Sequence, residues 1–270
     1  MVRALGVYRE SEFSPGKVEA DAAILDAVLA HLDAHGIAIH TVPAAEFIRG
    51  QAPDCDLILA MCQSEPALER LSERQLAGIP VVNSPQSIRS CYRDRLGPII
   101  AQAGVPAPEG ILVETTGAIG ERAFGGLDPR RGIYVKRGDL HALFTDDVRR
   151  VNDQAALDLA LGDFAARGVA TAYLQAAVEG RVVKFYGVTG TSYFDVAQAW
   201  NAADGLVAAR LRDAAQDAAA ALGLEVWGGD AIVSGGQFKI VDFNDWPSFE
   251  RVRAQAAHAI AGRILQLRRS

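Results

Sequence analysis

Two hydrophobic periods take turns along the first third of this chain. Residues 5–8 form a short apolar run of strand type. Residues 18–35 then carry Ala22, Leu25, Val28, Leu29 and Leu32 at helical spacing, and Gly36 closes the helix. The pattern repeats, with strands expected over 37–42, 56–61 and 80–83 and a helix over 66–77. Strands that alternate with helices predict an α/β unit built on a small parallel sheet. Its ligand crevice should lie past the strand C-termini, at the turns 9–17, 61–65 and 83–89.

The order changes after residue 84. A helix over 88–103 ends at Gly104 and a Pro106-Ala107-Pro108 linker. Strand-like runs at 111–113 and 133–135 then flank a glycine-rich connection, 117–126, that lacks the order of a phosphate-binding P-loop. A helix over 153–167, strands over 171–178 and 182–187, an alanine-rich helix over 208–222 and a C-terminal helix over 252–267 complete the pattern. These shifts divide the chain into three units, 1–83, 84–178 and 179–270.

Composition narrows the partners. At 270 residues the chain is long enough for two or three lobes around one cleft. A net charge of −6, with basic residues scattered, leaves no electrostatic footprint for nucleic acid or an anionic membrane. A small-molecule substrate is the expected partner, on a monomer or homodimer. Cys55, Cys62 and Cys91 lack C-x-x-C spacing, which argues against a disulfide framework or thiolate zinc site and for a reducing cytosol. The N-terminus runs directly into a strand pattern, and no apolar run reaches membrane-spanning length, so a cytoplasmic protein is expected.

The richest candidate chemistry lies near the C-terminus. Residues 226–233 and 238–247 form two β-runs joined by Ser234-Gly235-Gly236. Strand alternation puts Asp242 and Asn244 on one face and Phe243 on the other, and an antiparallel partner brings Asp230 beside them. Two carboxylates and an amide form the hard-oxygen set that Mg²⁺ accepts while keeping phosphate oxygens and waters in its other positions. Asp and Asn also favour turns, yet these two stand at the end of a run where β-propensity alone would not choose them.

An ordered series of motifs surrounds that hairpin. Asn83-Ser84-Pro85, Ile88-Arg89, Asp94-Arg95-Leu96 and Ala103-Gly104-Val105-Pro106-Ala107-Pro108 precede Lys136 in a strand, Gln175 in a second strand, and then Asp230, Asp242 and Asn244. From residue 81 onward this order resembles the ATP-grasp superfamily. The resemblance points to ligases of the glutathione synthetase and ribosomal-protein-glutamate-ligase type, and in part to ATP-grasp inositol phosphate kinases. It implies an ATP-grasp fold behind an N-terminal parallel-sheet domain, with ATP and one or two Mg²⁺, or Mn²⁺, as cofactors. Asp230, Asp242 and Asn244 would be the metal ligands.

The same resemblance assigns expected roles. Arg95 and Lys136 would hold phosphate oxygens, Arg95 as a bidentate fork in place of a lysine. Gln175 and the backbone of Ala176, Ala177 and Val178 would read adenine. Ala176 departs from the glutamate that holds the ribose in many members, which leaves Glu179 for that task. Lys184 would face the γ-phosphate or an anionic substrate, with Arg181 and His141 as further catalytic candidates. Arg9, Lys17, Arg89 and Ser248 would contact the substrate anion. Each has a plainer alternative: Lys136 and Arg95 as solvated charges, His141 as a packed or surface side chain, Cys91 as a small buried thiol.

The implied reaction is phosphoryl transfer from ATP to a carboxylate, followed by attack of an amine on the acylphosphate. A hydroxyl kinase is the alternative, because the segment from Lys136 to Phe144 and the Asp242-Phe243-Asn244 order also resemble the inositol phosphate kinases. In addition, 190–206 lacks the Arg-rich stretch of many ligases. Against the kinase, the N-terminal unit has no dense basic cluster for a polyphosphorylated substrate. A non-catalytic binding protein is a third reading, and it predicts lost metal ligands where all three are present.

Overall fold

Three four-stranded sheets, joined in chain order, make up the computed structural model, which describes residues 2–116, 126–140, 144–196 and 205–268. The N-terminal sheet is parallel, in the order β2-β1-β3-β4, with β1 Arg3–Tyr8, β2 Ala38–Pro43, β3 Leu57–Ala60 and β4 Val81–Val82. Helices α1 Val18–Asp33, α2 Ala44–Ile48 and α3 Glu65–Leu76 connect its strands. Leu5 and Val7 pack against Phe47, Leu68 and Leu71, while Ala4 packs against Leu25, Val28 and Leu29 of α1. Burial of both faces is why β1 and β3 read as nearly continuous apolar runs, while the edge strand β2 is largely exposed.

The expected helix over 88–103 is two helices, α4 Pro85–Ser90 and α5 Arg93–Gln102. Ser84 caps the first, its hydroxyl accepting from the Ser87 N–H at 3.1 Å, with Pro85 in the first turn where no N–H is required. Tyr92 interrupts the run. Its extended backbone starts α5 and its buried hydroxyl donates to the Gln63 carbonyl at 2.7 Å. Both helices bury apolar faces, so periodicity alone shows no break between them.

The second sheet, order β5-β8-β6-β7, is antiparallel and contains β5 Gly110–Glu114, β6 Ile133–Arg137, β7 Val148–Val151 and β8 Thr171–Ala176, covered by α6 Gln154–Ala166. The third, order β10-β9-β11-β12, contains β9 Arg181–Val188, β10 Phe194–Val196, β11 Val226–Ser234 and β12 Gln237–Asp245. Helix α7 Gly205–Leu222 covers one face of it, and α8 Arg253–Leu267 packs on α1. Strands β7 and β10 and helix α2 are not among the elements the pattern predicts.

Two contacts lock the outer units together. Asn83 is fully buried: its amide donates to the Val226 carbonyl at 2.7 Å, and its oxygen accepts from the N–H groups of Glu225 at 2.8 Å and Val226 at 2.9 Å. Trp246 donates its indole N–H to the Val82 carbonyl at 3.1 Å. Trp246 and Phe249 occupy the left-handed region, at φ 39° and 48°. Such strain costs on the order of 1 kcal/mol or more per bulky residue. Burial of both rings in the core shared with α1 and α8 offsets it at about 2–3 kcal/mol each. The forced turn carries Pro247 and Ser248 to the cleft wall. Among the described residues no helix is long and apolar enough to cross a membrane.

Candidate functional site

A one-residue irregularity in β12 organises the cleft. Asp230 lies opposite Asp242, but the next pair is Ala231 with Ile240, so Val241 is an extra residue in the hairpin. Its carbonyl faces the second sheet. There it accepts the Lys136 ammonium at 3.0 Å and the Gln175 amide at 3.4 Å. Lys136 and Gln175 thus meet the C-terminal lobe through one backbone atom.

That meeting point borders a cavity of about 590 Å³ between α5, the Pro106-Ala107-Pro108 linker, β5 and β12. Lys136, Gln175, Tyr173 and Asp242 line it. Burial pushes the Lys136 ammonium down to about 8 and Arg93 adds to this, against the opposing pull of Asp242 and Asp230. A buried cation short of negative charge is suited to receive phosphate oxygens.

A second cavity, about 330 Å³, opens on the other side of Asp242 toward the N-terminal unit. One row of register crosses it: Lys184 on β9 lies opposite Asp230 on β11, which lies opposite Asp242 on β12. Lys184 holds Asp230 at 2.8 and 3.0 Å. Asn244 follows on the same face, opposite Gly228, and Phe243 is buried on the other face as alternation requires. Gly228 leaves necessary room. A Cβ there would lie 2.8 Å from both the Phe185 carbonyl and the Pro247 ring.

The donor set fits a hard divalent cation. Burial raises the Asp230 carboxyl and outweighs the Lys184 pairing, with the Asp242 charge pushing the same way. For Lys184 burial acts downward, but its bond to Asp230 and the surrounding carboxylates leave the ammonium raised. Two adjacent, partly desolvated carboxylates are short of positive charge, and a metal supplies it. Among the described residues no three His, Cys, Asp or Glu side chains gather as ligands, so a third protein oxygen would be the Asn244 amide.

Other expected residues sit elsewhere than the sequence suggested. Arg95 is exposed and lines neither cavity; Arg93, two positions earlier, lines both. Arg93 shares the α5 face of Leu96 and Ile100, so a charged residue at an apolar helical position was the available signal. Arg89 is paired with Glu65 at 2.6 Å, outside both cavities. Arg181 is on the face of β9 that carries Val183 and Phe185 toward α7, opposite to Lys184. Glu179 is exposed and paired with Arg150 at 2.9 Å.

The hinge backbone is partly committed. The Ala176 N–H donates to Glu109 and that of Ala177 to Gly132, and neither residue, nor Val178, lines the first cavity. Arg9 lines the second cavity but spends its guanidinium on Asp21 and on the Met61, Asp245 and Trp246 carbonyls, at 2.8 to 3.3 Å. Lys17 and Ser248 line the same cavity, Lys17 paired with Glu250 at 3.3 Å. Gln63 and Asp245 are residues the sequence reading missed, hydrogen-bonded to each other at 2.7 Å. His141 lies outside the described residues.

No family model matches this chain, and no curated protein matches it in sequence. Solved structures do match it in shape. The D-alanine–D-alanine ligase of Bacillus anthracis complexed with ATP superposes with a TM-score of 0.75, at 13% identity, over 100% of this chain and 99% of that one. The VanG D-Ala:D-Ser ligase of Enterococcus faecalis gives 0.73 at 14% identity, over 97% and 98%. A RimK domain ATP-grasp protein of Sphaerobacter thermophilus gives 0.71 at 16% identity, over 97% and 99%. The likeness spans nearly the full length of each chain: this chain has the ATP-grasp fold.

Proposed function

We propose that this protein is an ATP- and Mg²⁺-dependent ligase that activates a carboxylate as its acylphosphate and joins it to an amine, releasing ADP and phosphate. One observation carries the reading: two cavities of ligand size share a wall formed by Arg93 and Asp242. The nucleotide fits the first, with Lys136 and Gln175, and the small-molecule acceptors fit the second. Asp230, Asp242 and Asn244 would hold Mg²⁺ at the shared wall. Bound there, the metal would neutralise charge on the transferring phosphate oxygens. The chain's own contribution is to place the two reactants in line and exclude water.

The shape neighbours named as ligases, matched over nearly their full lengths, support joining chemistry over simple phosphorylation. The absence of arginine from residues 190–206 favours the second reading, a kinase acting on a hydroxyl. Three free, buried cysteines support a cytosolic setting. Measurement of ADP release against pools of amino acids, dipeptides and polyols tests both. Phosphate freed only when an amine is present supports the ligase, a stable phosphorylated product supports the kinase, and no acceptor-dependent ADP release rejects both.

A further inference from the structure

We infer that the junction of the two cavities is an anion subsite for the phosphoryl group in transfer, with Arg93 as the side chain that contacts it. This inference rests on the nucleotide reading above. Among the described residues Arg93 and Asp242 alone line both cavities, so a group handed from a nucleotide in the first to an acceptor in the second does so beside them. Arg93 is 4% exposed, yet its partners are distant. One terminal nitrogen stands 3.4 Å from the Leu140 carbonyl, the other 3.7 Å from the Asp242 carboxylate, and the buried Nε has no partner among the described residues.

Other cations at the cleft are differently placed. Arg9 makes four close hydrogen bonds, and Lys184 holds Asp230 in a tight pair. A guanidinium taken out of water without close acceptors is costly unless an anion completes its shell. Its planar fork matches two oxygens of a phosphoryl group, which a lysine would meet as a point charge. Lys136 shares the same wall of the first cavity and stands ready for the oxygens on the nucleotide side.

In the transfer, the bond between the γ-phosphorus and the β,γ-bridging oxygen breaks, and its electron pair leaves with ADP. A bond from a carboxylate oxygen of the substrate to phosphorus forms, and no proton is exchanged. Arg93 donates throughout to the non-bridging oxygens, on which charge is spread.

Calorimetric titration of the full chain with ADP and with a non-hydrolysable ATP analogue, both with Mg²⁺, isolates this role without an acceptor. The unaltered protein should bind the triphosphate at least about tenfold more tightly than the diphosphate. Arg93→Met should keep ADP affinity within about twofold and lose that preference. Arg93→Lys, which keeps the charge but not the fork, should lose part of it and serves if the first variant does not fold. An undiminished preference in a folded variant overturns the inference. So does an equal loss for both nucleotides, which would make Arg93 a support for Asp242. Equal affinities in the unaltered protein overturn the subsite while leaving the nucleotide reading intact, and no binding of either nucleotide removes both.

Discussion

Lys136 donates its ammonium to the carbonyl of Val241, 105 positions later in the chain, at 3.0 Å. The acceptor is available because Val241 is the unmatched residue of the β11–β12 hairpin. One bulge therefore joins β6, which carries Lys136, to β12, which carries Asp242 and Asn244. Buried, and bonded to a neutral carbonyl with the carboxylates farther away, Lys136 sits in a site that favours its uncharged form more than water does.

Nucleotide affinity should therefore weaken above pH 8, because binding phosphate then requires Lys136 to take up a proton. The limit is about tenfold per pH unit for one coupled proton. Lys136→Arg should flatten this profile to pH 9.5 or beyond. The sign for stability is the reverse. The buried ammonium costs the folded state below pH 8 and the cost is relieved as pH rises toward 10.5. Lys136→Met should raise the stability of the ligand-free protein at pH 7 by about 1–3 kcal/mol while abolishing ATP binding. A variant no more stable than the parent in urea would contradict the burial argument.

Asp242→Asn should leave the fold intact and remove metal-dependent turnover by roughly a hundredfold or more. A titration of ADP release with Mg²⁺ checks this. Retention of the parent's metal dependence would remove Asp242 from the ligand set.

Arg9 belongs to the scaffold. It ties β1 to α1 through Asp21 and to the end of β12 through two carbonyls, and both members of the ion pair are at least nine-tenths buried. Arg9→Met should cost about 3 kcal/mol, since among the described residues Asp21 would keep only the Ser14 hydroxyl, at 2.7 Å. Denaturation that shifts by less than about 1 kcal/mol would show that the strut is dispensable.

Asp245 predicts a pH effect of opposite character. Burial pushes its carboxyl up to about 6, against the Arg9 guanidinium and the Gln63 hydrogen bond, and with Asp21 adding to the rise. Between about pH 4 and 6 the folded chain keeps a proton that the unfolded chain has released, so this group's contribution to stability falls as pH rises through that window. Above it the penalty is complete. Asp245→Asn should therefore gain about 1–3 kcal/mol at pH 7 and nothing below pH 4. Denaturation curves at the two values decide it, and an equal effect at both would rule out a charge-based cause.

Local patterning made much of the candidate site's geometry legible. The period of two placed Asp242 and Asn244 on one face, and the register confirms Asp230 as their neighbour. The order of Asn83, Lys136 and Gln175 was equally readable, although Asn83 turned out to clamp two units through the Glu225 and Val226 backbone. Placement of the arginines was not. Arg93 and Arg95 are two steps apart on a helix, hence on different faces, and the choice depends on what packs against α5. Arg89 and Arg181 have the right charge in the right region, but Glu65 holds one and strand parity turns the other away from the cleft.

By itself, then, the sequence determined the α/β order, the hairpin and its oxygen face, because these follow from periods of two and 3.6 residues and from turn residues close along the chain. Only the tertiary structure decided which cations reach the cleft, that Val241 turns its carbonyl to Lys136, and that Arg93 stands between two cavities. Those facts depend on the approach of segments more than a hundred residues apart and on the removal of water between them. Burial and the pKa shifts that follow from it come into being only when the lobes meet.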